Sequence, residues 1–170
     1  MLDPGDLERF LAEFQPWVKS GHETRAVLTS VARLEKMLSR LLEYRIRMSP
    51  AKLREKLLGG YGPLSTFAAK IDIAEAFGII DNRTAELMRV VKNVRNEFAH
   101  SSEGVDLDAP QLARACAKLP EAHDRIPAEG NMAKFMTALM LATDGIITAM
   151  GGDGKTWVER VTVPMQNDLD

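Results

Sequence analysis

Residues 95–100, with the sequence RNEFAH, combine side chains that suit phosphate chemistry. Arg95 supplies a fixed cation, Asn96 an amide and His100 an imidazole, and together they close a predicted helix. An imidazole titrates near neutral pH and can accept or donate a proton, while a guanidinium binds phosphate oxygens through paired hydrogen bonds. This segment is therefore the place in the sequence where we expect chemistry.

The helix that carries this motif is strongly amphipathic. Asp81 is predicted to cap its start, and the helix is predicted to run to about His100. On a helical wheel its core face consists of Leu87, Val91, Val94 and Phe98. The opposite face consists of Arg89, Asn93, Asn96 and His100, with Arg95 on the flank. His100 therefore either borders solvent as a basic residue near a helix C-terminus or lies in a cleft between two protomers.

Glu75 is predicted to lie within the apolar arc of the preceding helix. The neighbouring positions of that arc are Leu64, Phe67, Ala68 and Ile71. A carboxylate in such a place needs a partner, and the predicted partner is Arg95. Two interpretations follow: the pair only stabilises the fold, or Glu75 orients the guanidinium toward a phosphate.

A second candidate binding surface lies on the helix predicted over residues 23–48. Five cations share an arc of about 80° opposite the apolar stripe, with only Glu43 among them. They are Arg25, Arg33, Lys36, Arg40 and Arg47. Such a stripe is either a solvated face or a contact for an RNA backbone or an acidic protein. No aromatic side chains interleave there for base stacking, so sequence-specific RNA reading is not predicted.

The hydrophobic periodicity along the chain predicts an all-α fold, a single bundle of six or seven helices. One helical domain is predicted over residues 1–150, followed by a glycine-rich stop and a C-terminal tail over 151–170. Beyond the two helices above, helices are predicted at 6–18, 50–58, 64–77, 108–118 and 132–150, with a loop at 119–130. Residues 157–163 alternate in polarity, which fits either a strand or a tail that docks on a partner.

Composition and charge are those of one ordinary globular domain. The 170 residues are 45% hydrophobic and 27% charged, with a formal net charge of −2. Residues 19–60 carry ten Lys or Arg against four Glu, so this basic region favours an acidic partner. We predict a cytoplasmic protein, because no export signal is visible and polar residues interrupt the apolar stretch at 135–150.

Other motifs point to no cofactor and no metal. Cys116 is the only cysteine and is predicted to be a buried, inert thiol. The three histidines are scattered, without acidic or thiol groups at ligand spacing. Residues 151–156 resemble a phosphate-binding loop, but Ala149 stands where that loop needs its first glycine. No helix-turn-helix pair is visible, so sequence-specific DNA binding is not predicted.

The RNEFAH segment resembles the R-N-x-x-x-H signature of HEPN domains. These are small helical bundles that usually dimerise with this motif at the interface, and many are metal-independent ribonucleases. A wider stretch resembles the mannitol operon repressor family, which is also all-helical and related to HEPN domains. This likeness covers about residues 22–150 and is densest over 60–100. The residues that carry this likeness and precede the motif are Gly62, Pro63, Leu64, Phe67, Ile71, Ala76, Phe77, Gly78, Ile79 and Ile80.

The resemblance implies a homodimer and two alternative functions. The first, which we take as the prediction, is a cytoplasmic regulatory protein of the repressor type that acts through protein contacts. The second is a metal-independent endoribonuclease. In that case the resemblance implies that Arg95 contacts the scissile phosphate and Asn96 supports it. His100 would then be the general base or acid in attack by the ribose 2′-hydroxyl.

Overall fold

The computed structural model describes residues 12, 23–46, 51–100, 106–123, 126 and 128–151, and the described residues are helices joined by turns and loops, with no strand. The prediction of an all-α fold is confirmed. The α-helices are α1 (Glu23–Arg45), α2 (Ala51–Leu58), α3 (Phe67–Ala76), α4 (Asn82–Ala99), α5 (Ala113–Cys116) and α6 (Gly130–Ala149). A 3₁₀ helix, Pro110–Leu112, precedes α5. Ala12 is helical, but the rest of the helix predicted at 6–18 lies outside the described residues, as does the tail after 151.

Helix α6 is the centre of the bundle. Thirteen of its twenty residues are buried, on all sides of the helix, and it packs against both α1 and α4. In the sequence, the polar residues of this helix argue against a membrane span. By length and composition alone, α6 could cross a membrane. However, 72% of its most apolar window is buried inside the protein. A helix that is apolar all round and covered by others is typical of a bundle core.

Helices α1 and α4 contribute one apolar face each to this core. Val27, Val31, Leu34, Leu38 and Leu41 of the predicted stripe on α1 are all buried. On α4, the predicted positions Val91, Val94 and Phe98 are buried, whereas Leu87 is only half-buried and Met88 is fully buried in its place. Leu87 packs against the core from its edge, where it also lines two clefts.

Several helix ends differ from their predicted positions. Helix α1 ends at Arg45, before the predicted residue 48. Helix α3 begins at Phe67 and not at residue 64, because turns occupy 59–65 and the Thr66 hydroxyl accepts a hydrogen bond from the amide of Ala69 at 3.2 Å. The predicted helix at 108–118 divides into the 3₁₀ helix and α5. Such ends depend on capping partners, which hydrophobic periodicity does not specify.

The start of α6 is capped from a distant part of the chain. The side chain of Glu129, the residue before α6, makes no capping bond. Asp108 Oδ1 instead accepts a hydrogen bond from the amide of Asn131 at 3.0 Å. The Asn131 side chain in turn donates to the Leu107 carbonyl at 3.0 Å. The turn that contains Asp108 therefore helps to define where α6 begins, two residues before the predicted position.

Asp81 caps α4 as predicted, and this cap makes a pH-dependent contribution to stability. Hydrogen bonds from the hydroxyl and the amide of Thr84 hold the pKa of the Asp81 carboxyl below its ordinary value. An unfolded aspartate titrates at about 3.9. The stabilisation is therefore complete above that pH and is lost as the pH falls through the lower folded pKa.

We expect Asp81→Ala to lower the free energy of unfolding by about 1 kcal/mol at neutral pH. The loss should be smaller in strongly acidic buffer, where the wild-type carboxyl is itself protonated. Urea unfolding of both proteins at the two pH values measures this difference. An equal loss at both pH values would contradict a capping role for the carboxylate.

Candidate functional site

The RNEFAH motif forms the C-terminal end of α4. Ala99 is the last helical residue, and His100 is the C-cap, whose backbone N–H donates to the carbonyls of Asn96 at 3.3 Å and Glu97 at 3.2 Å. The side chain of His100 is exposed. The structure therefore places the imidazole at the surface, at a helix end where a cation is favoured by the helix dipole.

Arg95 and Asn96 form a pair within the motif. Arg95 Nη1 donates a hydrogen bond to Asn96 Oδ1 at 2.9 Å, and both residues are half-buried. Arg95 Nε is buried and has no hydrogen-bond partner among the described residues. Buried donors of this kind are rare in folded proteins. The amide thus orients the guanidinium, while the buried Nε is closed to a ligand in this conformation.

Glu75 does not pair with Arg95, so that prediction is wrong. Its carboxylate accepts hydrogen bonds from Arg89 Nη2 at 2.6 Å and from Asn82 Nδ2 at 3.0 Å. The Arg89 guanidinium, followed by the Asn82 amide, holds the pKa of the Glu75 carboxyl below its ordinary value. Arg89 also binds Asp72 Oδ1 at 2.7 Å. These residues make one charge network between α3 and α4.

The turn between α3 and α4 explains this pairing. Only residues 77–81 separate the two helices, and Gly78 has a φ of +61° in this turn. Residues close to the turn on α3 therefore face residues close to the turn on α4, far from Arg95 at the other end. The buried positions of α3 are Phe67, Lys70, Ile71 and Ala74, so Glu75 lies at the edge of the apolar arc and not inside it.

The predicted basic stripe lies on the outer face of α1. Arg25, Lys36 and Arg40 are exposed, and Arg33 is half-buried. Arg47 lies outside the described residues. The stripe and the RNEFAH motif are on different helices, α1 and α4, and these helices meet through their buried faces.

Two clefts beside the N-terminal half of α4 were not predicted. A cleft of about 640 Å³ lies between α4 and α6, and Asp144, Thr84 and Leu141 are in its lining. A second cleft of about 520 Å³ extends toward Lys118. Both include Arg83 and Leu87, and neither includes the three motif residues.

The Cys116 thiol is poorly placed to act as a nucleophile. Cys116 is buried, and its Sγ donates to the Leu107 carbonyl at 3.6 Å. Burial, followed by the charge of Asp108, raises the pKa of this thiol, which keeps it protonated at neutral pH and less reactive. Within the described part of the chain, no three His, Cys, Asp or Glu side chains are grouped as metal ligands.

Comparison with known proteins identifies a fold and no family. No family model matches the chain, and no curated protein matches it. Among solved structures, it is similar to MtlR in the X-ray structure of the MtlR–HPr complex from Escherichia coli. The two share 18% sequence identity with a TM-score of 0.50, and the likeness covers 84% of this chain and 92% of that one. The protein is thus an all-α bundle with an MtlR-like fold.

Proposed function

We propose that this chain is a cytoplasmic regulatory protein of the mannitol operon repressor type that acts by binding another protein. The observation that carries this proposal is the outer face of α1, where Arg25, Lys36 and Arg40 are exposed opposite eight buried positions. A row of cations on a rigid helix suits recognition of an acidic surface. The MtlR-like fold supports the proposal, because Escherichia coli MtlR forms a complex with the protein HPr.

A second candidate function is a metal-independent endoribonuclease, acting as a homodimer. The observation that favours it is the geometry of Arg95, whose guanidinium is oriented by Asn96 and keeps a buried Nε without a hydrogen-bond partner in the described structure. A phosphate would contact the outer nitrogens of this guanidinium, because the buried Nε is closed to solvent, and His100 is exposed at the end of the same helix. A positioned cation stabilises charge that develops on phosphorus without a metal.

One experiment compares the two proposals. The purified chain is titrated with HPr from the organism that encodes the chain. In parallel, the chain is incubated with single-stranded RNA in the presence of EDTA. We expect an HPr complex whose affinity falls about tenfold from low to high ionic strength, because exposed charges are screened by salt. We also expect the RNA to remain intact.

The ribonuclease proposal predicts instead that the RNA is cleaved. Products with 2′,3′-cyclic phosphate ends, absent with His100→Ala, would establish cleavage by the motif if that variant keeps its helical circular dichroism. Since His100 is exposed, we expect this variant to fold. His123→Ala is the matched control, because it removes a histidine outside the motif. Absence of HPr binding together with such cleavage would overturn the regulatory proposal.

A further inference from the structure

Exposed apolar side chains are concentrated in one short stretch of the chain. Five large apolar side chains are exposed in the described structure, and four of them lie within residues 44–61. The exposed fractions are 68% for Tyr44, 39% for Ile46, 41% for Leu53 and 108% for Tyr61. Single exposed apolar residues are ordinary, whereas several together mark a contact site. We refer to these four residues as the apolar patch.

One ion pair links α2 to the C-terminal part of α1, and these two helices carry Leu53 and Tyr44. Arg54 Nη1 on α2 lies 3.5 Å from Glu43 Oε2 on α1. Leu53 and Tyr44 are the sequence neighbours of these two residues, so the helical segments that carry them are adjacent. Tyr61 lies in the turn after α2, where the amide of Leu64 donates to the carbonyl of Leu57 at 2.9 Å.

Among the described residues, helix α2 packs against the core through its C-terminal end. Leu57 and Leu58 are partly buried and pack against the core, while no residue of α2 is fully buried. The preceding turn of the helix, including Leu53, remains exposed. An amphipathic helix with an uncovered apolar position is a common contact element for a partner segment.

The segments that carry the apolar patch are rich in exposed cations. The exposed basic residues on and beside α2 are Arg45, Lys52, Arg54 and Lys56, and the stripe residues Lys36 and Arg40 precede them on α1. The acids in the same region are Glu43, which pairs with Arg54, and Glu55. An apolar centre with a charged rim, rich in Tyr and Arg, is the usual composition of a protein–protein interface.

We infer that the apolar patch and its cationic rim are the docking surface for an acidic protein segment, an inference that rests on the proposed function. Apolar side chains of that segment cover Ile46 and Leu53, and its carboxylates face Lys52 and Lys56. A protein fits better than RNA, because aliphatic side chains such as Leu53 have no apolar counterpart on a nucleic-acid backbone. Base stacking on Tyr44 and Tyr61 is the competing use of this surface.

The test uses a short synthetic peptide with leucines on one helical face and glutamates on its flanks, labelled for fluorescence anisotropy. We expect the full-length chain to bind it and not a matched peptide with lysines in place of the glutamates. Leu53→Ser with Tyr61→Ser should weaken binding about tenfold or more. Lys52→Glu with Lys56→Glu should do the same, because it reverses the rim charge.

The matched control is Arg83→Glu with Lys118→Glu, which makes an equal change in net charge on other elements. An equal loss of binding in this control would overturn the inference, because net charge alone would then explain the result. Binding of a single-stranded RNA probe through the patch residues, without binding of the acidic peptide, would also overturn it.

Titration of the same variants with HPr separates this inference from the proposed function. If HPr binds the wild type and both patch variants equally, the docking surface is wrong and the proposed function stands. If HPr does not bind the wild type but the acidic peptide binds at the patch, the proposed partner is wrong and the chemistry of the surface stands. Loss of HPr binding in the patch variants alone supports both.

Discussion

Gly145→Val is expected to lower the free energy of unfolding by about 3 kcal/mol, the upper part of the usual range for overpacking a core. Gly145 lies on α6 where this helix crosses α4. A Cβ atom at this position would lie 2.6 Å from Thr84 Cγ2 and 2.9 Å from Thr84 Cβ. Both distances are shorter than real carbon contacts, so the two helices would have to separate.

Thr84 cannot readily move away from this contact. Its side chain is buried and β-branched, and its amide donates to the Asp81 carboxylate at 2.7 Å. Helix propensity alone predicts that replacing Gly145 raises the free energy of unfolding, since replacing a helical glycine by alanine typically gains about 1 kcal/mol. A destabilising Gly145→Ala would therefore show that close approach of the helices outweighs propensity.

Urea unfolding of Gly145→Val, Thr84→Ala and the double variant measures the contact directly. We expect the double variant to lose less stability than the two single variants lose together, because removing the Thr84 methyl and hydroxyl makes room for the new side chain. Thr148→Val, at an exposed position of the same helix, should change stability by less than about 0.5 kcal/mol. Additive losses in the double variant would contradict the proposed clash.

Glu35→Ala is expected to lower the free energy of unfolding by about 2 kcal/mol. Lys70 is buried on α3, with 8% of its side chain exposed, and its Nζ donates to Glu35 Oε1 on α1 at 2.6 Å. Loss of one partner of a fully buried pair costs about 3–5 kcal/mol, because the other charge is left in an apolar site. We expect a smaller loss here because 26% of the Glu35 side chain is exposed to water.

Lys70→Met provides the complementary measurement. Methionine has a similar length and fills the same space, while Glu35 can still be hydrated, so this variant should be less destabilised than Glu35→Ala. Glu43→Ala is the matched control, because its 3.5 Å pair with Arg54 is more exposed and should contribute less than about 1 kcal/mol. Equal losses for Glu35→Ala and Glu43→Ala would show that burial of Lys70 has no energetic consequence.

The candidate site was predicted in part. The sequence located the helix end at His100, the Asp81 cap and the outward position of the imidazole, because each follows from local periodicity and capping. It did not locate the partner of Glu75, since a carboxylate at the edge of an apolar arc can face several cations. The short turn after α3 places Arg89 beside Glu75, while Arg95 pairs with Asn96.

The sequence by itself determined the class of the fold, the main helices and the row of cations on α1, because each depends on the spacing of residues along one helix. Tertiary structure decided the burial of Lys70, the half-exposure of Leu87 and the close contact at Gly145. These features depend on the rotation and distance between helices that are remote in sequence. Hydrophobic periodicity specifies which face is apolar, but the neighbouring helices decide how far that face is covered.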